Sequence, residues 1–139
     1  RKLNDAMAYY YAGKICDELE EEVDHLASCK ILIMGMTFKE NCPDYRNTKV
    51  VDLVNGLTYR EISVDIYDPY LSNEDISKEF GFNLIQYPKE DDYDAIVIAV
   101  PHDQFREEGI DSIRSFGKEE ALIFDIKNLF PVDNGLIRI

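Results

Sequence analysis

The chain has 139 residues, with 28 Asp and Glu against 15 Lys and Arg, and a formal net charge of -13. That length suits one domain with one adequate hydrophobic core. The charge argues against binding nucleic acid or an anionic membrane surface, since both require Lys and Arg to neutralise phosphates.

The first residues, "RKLNDAM", lack an initiator methionine, and the expectation is a piece of a longer polypeptide. No signal-peptide pattern follows, and no apolar run approaches the ~20 residues of a membrane span. Residues 3 to 27 predict one long helix. Leu3, Met7, Tyr10, Ile15, Leu19, Val23 and Leu26 trace an apolar stripe at spacings of three to five. The acidic run "DELEEEVD" reads as its solvated face. A helix that long suits a strut between domains or a dimer surface, and plain packing is the alternative.

From residue 30 the pattern changes to short runs rich in Ile and Val. "KILIMG" (30–35), "SVDIYD" (63–68), "DAIVIAV" (94–100) and "ALIFDI" (121–126) lack the alternation of a half-exposed sheet, as strands buried on both faces do. Between the first two, "NTKVVDLVNGLTYRE" has helical spacing that ends near Gly56. A helix around "NEDISKEFG", a weaker strand "NLIQY" (83–87), a helix from near Asp103 and a last short strand "LIRI" (136–139) complete the series. The order β-α-β-α-β-β-α-β predicts an α/β fold: a Rossmann-like, doubly wound, mostly parallel sheet of five to six strands with a long N-terminal helix. Residues 1–29 form the helical segment in this reading, and residues 30–139 the sheet domain.

Ligands of such sheets bind outside the carboxyl ends of the strands, where strand order reverses. There the first strand carries "GMTFKENCPDYRN" and the strand "ALIFDI" carries Lys127 and Asn128. Lys39, Arg46 and Lys127 could converge on one mouth, and a cationic mouth in so acidic a chain suits a phosphate or pyrophosphate. The alternative is a loop ion pair between Asp44 and Arg46, with Lys39 simply solvated. Only Gly35 stands where a dinucleotide site would carry Gly-x-Gly-x-x-Gly, so no NAD-binding residues are assigned here.

Other residues carry less. Three cysteines, Cys16, Cys29 and Cys42, without Cys-x-x-Cys spacing predict neither a disulfide framework nor a structural zinc, and they suit a reducing cytoplasm. Cys42 has no adjacent base and reads as a passive thiol. His102, at a strand's carboxyl end, is either a ligand contact or a capping and packing residue, and His25 reads as a surface residue. Asp65, Asp68 and Lys127 faintly suggest a phosphoacceptor receiver, which the first strand excludes because no acidic pair closes it. Tyr9, Tyr10 and Tyr11 are consecutive and cannot share one helix face, so one of them should point away from the local core.

"MGMTFKENCPDYRNTKVVDLV" resembles the opening of the C-terminal, UDP-binding domain of the UDP-glucose/GDP-mannose dehydrogenase family. "VDIYDP", "DAIVIAVPHDQF" and "LIFDIKNLF" follow in that domain's order, and "RKLND" resembles a stretch near the family's inter-domain helix. The motif is similar to that of the branch oxidising UDP-N-acetylhexosamines for surface polysaccharide synthesis, the Vi-antigen type.

The resemblance implies an enzyme that oxidises the sugar C6 alcohol to a carboxylate in two NAD-dependent hydride transfers. It implies an N-terminal NAD-binding domain and a central helical domain outside this chain, and a cytoplasmic, homodimeric full-length protein. It matches Phe38 and Lys39 to a Phe-Lys pair at the nucleotide-sugar site and Lys127 to a basic residue reaching the UDP portion. Arg46 matches the motif arginine that holds the loop and the ligand. The family's catalytic cysteine and lysine precede this region, so the chain alone should be inactive, and Cys42 is not that nucleophile. Asn128 stands where many relatives have glycine or arginine. UDP-glucose as substrate, or a purely structural and dimerising role for the domain, are the competing expectations.

Overall fold

Alternate residues of each central strand bury on opposite faces of one sheet, which is why its apolar runs are continuous rather than patterned. A computed structural model describes residues 5–46, 48–131 and 135–139 of the chain. Its elements are α1 (Asp5–Glu20), a 3-10 turn (Leu26–Ser28), β1 (Lys30–Met34), α2 (Val50–Thr58), β2 (Ser63–Tyr67) and α3 (Asn73–Phe80). They continue with β3 (Asn83–Leu84), β4 (Tyr93–Ile98), α4 (Asp103–Glu108), α5 (Ile110–Phe116) and β5 (Gly117–Asp125). The five strands are parallel, in the order β3-β2-β1-β4-β5.

Ile31, Ile33, Ala95 and Val97 pack on one face, against Leu53, Val54 and Leu57 of α2 and Ile76 of α3. Leu32, Met34, Ile96 and Ile98 pack on the other, against Phe105 of α4 and Ile113 and Phe116 of α5. Helices therefore cover both faces, and the predicted doubly wound α/β class holds. The predicted last strand is reduced to a single parallel bridge between Ile137 and Phe124. The helix expected from near Asp103 divides in two at Gly109, whose φ of 89° lies outside helical space.

The N-terminal helix differs most from expectation. It ends at Glu20, not near residue 27, and Leu3 lies outside the described residues. The cause is charge. The last turn holds no basic residue, and Glu18, Glu20, Glu21 and Glu22 crowd the negative end of the helix dipole. The buried face is Ala8, Tyr11, Ala12, Ile15, Cys16 and Leu19, in the same core cluster as β1, so the helix belongs to the domain's own layer. Tyr11 is buried whereas Tyr9 and Tyr10 are more than half exposed.

Candidate functional site

Register brings the strand ends level. Tyr67 pairs with Met34, Met34 with Ile98, and Ile98 with Asp125, a single row across β2, β1, β4 and β5. The residues just past that row therefore emerge together at the carboxyl edge, and strand order reverses on either side of β1. Gly35 leaves β1 at φ 98°, and a Cβ there would stand 2.6 Å from the Cβ of Val100. Only glycine lets the loops after β1 and β4 pass so closely.

Three loops then meet on one buried carboxylate. Asp68, next after β2 and 3% exposed, accepts the Met36 and Thr37 backbone N–H groups on Oδ2, at 2.7 and 3.1 Å. Its Oδ1 accepts the Tyr70 N–H at 2.9 Å. His102, wholly buried after β4, places Nε2 3.0 Å from Asp68 Oδ2 and 3.2 Å from Thr37 Oγ1. Its Nδ1 accepts the Asn41 N–H at 2.9 Å. The Thr37 hydroxyl donates to the Lys39 carbonyl at 2.8 Å, and the Phe38 N–H donates to the Asp44 carbonyl at 2.7 Å. Asn41 takes φ 58° and exchanges bonds with Asp103, its Nδ2 donating to Oδ2 and its Oδ1 accepting from the Asp103 N–H. The loop after β1 is thereby fixed at its backbone along most of "MTFKEN".

A second buried carboxylate organises the end of β5. Asp125, 0% exposed, accepts the Leu129 and Phe130 N–H groups, each at 2.9 Å. Arg138 lies 3.9 Å from its Oδ2 and bonds the Asn128 Oδ1 and the Phe130 carbonyl. Asn128 has φ 57°, a left-handed conformation that asparagine tolerates and glycine favours. That accounts for its standing in a position glycine can also fill.

The sequence-derived candidates fall as follows. Phe38 is half-buried and Lys39 exposed on the pinned loop after β1, and half-buried Lys127 stands two residues beyond Asp125 on the same edge. With β4 between them, the ends of β1 and β5 from which the two loops leave stand about 10 Å apart, at ~4.8 Å per strand spacing. Arg46 is paired within its own loop. Its side chain is 82% exposed and bidentate on Asp44, Nε to Oδ1 and Nη2 to Oδ2 at 3.0 Å each. This is the loop ion pair that the sequence left open as an alternative. Arg46 also lines a cleft of about 250 Å³ with Tyr45, Lys49, Asp52, Glu79 and Phe80. Two of the guanidinium's five donors are taken by Asp44.

Sequence reasoning missed the brace itself. In the sequence Asp68 suggests only a receiver fold, and His102 either a ligand contact or a capping and packing residue. The signal was an acid directly after an apolar strand, where ionisation is costly unless N–H groups collect on it. All three cysteines are free thiols, and no group of metal-ligating side chains occurs among the described residues.

The family model for the UDP binding domain of the UDP-glucose/GDP-mannose dehydrogenase family matches residues 32–132, from inside β1 to beyond the loop of Lys127. The chain belongs to that family. This UDP-binding domain is 40% identical, over its whole length, to the UDP-N-acetyl-D-glucosamine 6-dehydrogenase of Pseudomonas aeruginosa, and 37% identical to that of Salmonella typhi. It spans 33% of each relative, about a third of their length. Arabidopsis thaliana UDP-glucose 6-dehydrogenase 4 is more distant, at 22%. Among solved structures, the UDP-D-ManNAc dehydrogenase of Pyrococcus horikoshii superposes on 97% of the domain and 30% of its own chain, with a TM-score of 0.72 and 25% identity.

Proposed function

We propose that this domain holds the UDP portion of the substrate in an NAD-dependent UDP-N-acetylhexosamine 6-dehydrogenase that serves surface polysaccharide synthesis in the cytoplasm. The observation that carries the reading is the Phe38–Lys39 loop, exposed at the topological switch point and pinned from beneath by Asp68. The 37–40% identity to two N-acetylglucosamine enzymes, against 22% for a glucose enzyme, supports an N-acetylhexosamine as the sugar.

The division of labour follows from the residues. Lys39 and Lys127 supply point charges toward a diphosphate in a chain whose net charge would otherwise repel it. Arg46 offers its remaining donors from the rim, and Phe38 presents an apolar face beside them. Binding energy collected on the non-reacting UDP orients the sugar's C6 toward groups outside this chain. NAD, when bound, accepts the two hydrides that turn the C6 alcohol into a carboxylate. Its pyrophosphate does not suit this domain: β1 ends at Met34 and α2 starts only at Val50, where a dinucleotide site has a short glycine-rich turn, and Val100 fills the space beside Gly35. We therefore place NAD on another domain. Exposed Tyr9 and Tyr10 on α1 suit contact with such a domain or with the second subunit of a homodimer.

The test is a UDP titration of the isotope-labelled chain. Amide shifts are expected at residues 36–41 and 126–130, and their absence at millimolar UDP overturns the reading in favour of a structural module. Mixed with UDP-N-acetylglucosamine and NAD, the chain should produce no NADH. Sustained turnover would refute the placement of NAD elsewhere.

A further inference from the structure

We propose that His102 is a positioning residue for nucleotide-sugar binding: with its ring proton on Nε2, it holds the loop of Lys39 through the Thr37 hydroxyl on one side and the Asn41 N–H on the other. The inference rests on the reading above, in that Lys39 must be the residue presented to UDP.

The tautomer follows from the partners. Asn41 N–H points at Nδ1 from 2.9 Å, so Nδ1 bears a lone pair and the proton sits on Nε2. Nε2–H then faces two acceptors, Asp68 Oδ2 at 3.0 Å and Thr37 Oγ1 at 3.2 Å. Thr37 is free to accept because its own proton goes to the Lys39 carbonyl at 2.8 Å. Asp68 Oδ2, acceptor-only as a carboxylate, collects His102 and the N–H groups of Met36 and Thr37. Every donor in this network around His102 has an acceptor of the right kind, and reversing the imidazole tautomer would set N–H against N–H at Asn41.

What the network grips is informative. One link reaches the peptide after Thr37–Phe38–Lys39 through the Lys39 carbonyl, and another reaches the N–H of Asn41, two residues on. Lys39 is exposed at its side chain, while Thr37 before it and Asn41 after it both bond to a ring with no solvent exposure. Tyr70 and Phe105 hold that ring in turn, with centroids 4.7 and 5.2 Å away. A lysine with a mobile backbone would lose the benefit of a preorganised charge when UDP arrives. His102 touches no substrate in this scheme and acts through the loop.

The experiment uses the full-length protein and compares wild type, His102→Leu, His102→Gln and Lys39→Ala. Glutamine keeps an acceptor and a donor at about the spacing of the two ring nitrogens, and leucine keeps neither. UDP affinity should fall about ten- to a hundredfold in His102→Leu, the scale on which a misplaced binding group costs, and stay within about threefold in His102→Gln. In turnover the leucine loss should appear in KM for the UDP-sugar rather than in kcat or in KM for NAD. Nitrogen-15 shifts of labelled wild-type His102 should show the proton on Nε2. Unchanged UDP affinity in folded His102→Leu overturns the proposal, and so does a ring protonated on Nδ1. If the leucine variant does not fold, the glutamine variant and the ring shifts decide: folded His102→Gln without UDP binding also overturns it. Failure of wild type to bind UDP, or an indifferent Lys39→Ala, is a different result, and it removes the functional reading itself.

Discussion

Ala12 of α1 and Gly56 of α2 meet back to back. A Cβ built on Gly56 would lie 2.8 Å from the Cβ of Ala12, closer than two carbons sit. The sequence suggests Gly56 as the end of a helix, yet it is buried inside α2, which runs on to Thr58. It is there because two helices cross at that point with no room for a methyl group. Gly56→Ala should gain at most about 1 kcal/mol of helix propensity and lose about 1–3 kcal/mol to overpacking. A net loss of about 1–2 kcal/mol is expected, read as a lower urea midpoint with an unchanged slope.

Asp125→Ala should cost about 3 kcal/mol, since the Leu129 and Phe130 N–H groups lose their buried acceptor and Arg138 its nearby charge. Hydrogen exchange should accelerate at residues 128–130 before the strands are affected. Equal acceleration throughout the sheet would contradict a local role for this carboxylate.

The thiols should separate by reactivity. Cys16 and Cys29 are each 2% exposed, and burial pushes both thiols above the ordinary cysteine range, while Cys42 is half-exposed on the loop after β1. The thiolate is the reactive form, so an alkylating reagent at mildly alkaline pH should label Cys42 first. Mass spectrometry should find one modification on the folded chain and three after denaturation. Early labelling at Cys16 would mean that α1 detaches from the core.

Asp44 should stay ionised below the ordinary carboxylate range. The Arg46 guanidinium, bonded to its carboxylate, lowers its pKa from 3.8 to about 2. A depressed folded-state pKa means that the pair's contribution is present above the unfolded value and is lost as pH falls through about 2. A carboxyl-carbon titration should therefore place its midpoint near 2, and Arg46→Ala should return it toward 3.8. An unchanged midpoint in the variant would show that the pair does not form in solution.

The uninterrupted apolar strands were legible because a parallel sheet covered on both faces demands apolar residues at every position, and that demand is written locally. The doubly wound class followed from the alternation of those runs with helical spacing, whereas the strand order β3-β2-β1-β4-β5 came from the structure. Lys39 and Lys127 could be located on the carboxyl edge by the same logic. The phase of α1 could not be read reliably, since Tyr10 and Tyr11 are equivalent by composition and only contact with α2 and the sheet chose Tyr11. Arg46 was ambiguous for a related reason. A single residue, Tyr45, separates it from Asp44, and a loop's geometry, not its spacing, decides whether they pair.

By itself the sequence determined the layers, the mostly parallel direction of the strands, and the edge on which the loop of Lys39 would stand, because these follow from short-range hydrophobic pattern. Tertiary structure alone decided that Asp68, His102 and Thr37 meet, and that Asp125 holds the neighbouring loop. Those residues lie 31 to 65 positions apart along the first brace. Only the register that sets Tyr67, Met34, Ile98 and Asp125 in one row brings their side chains within hydrogen-bonding reach.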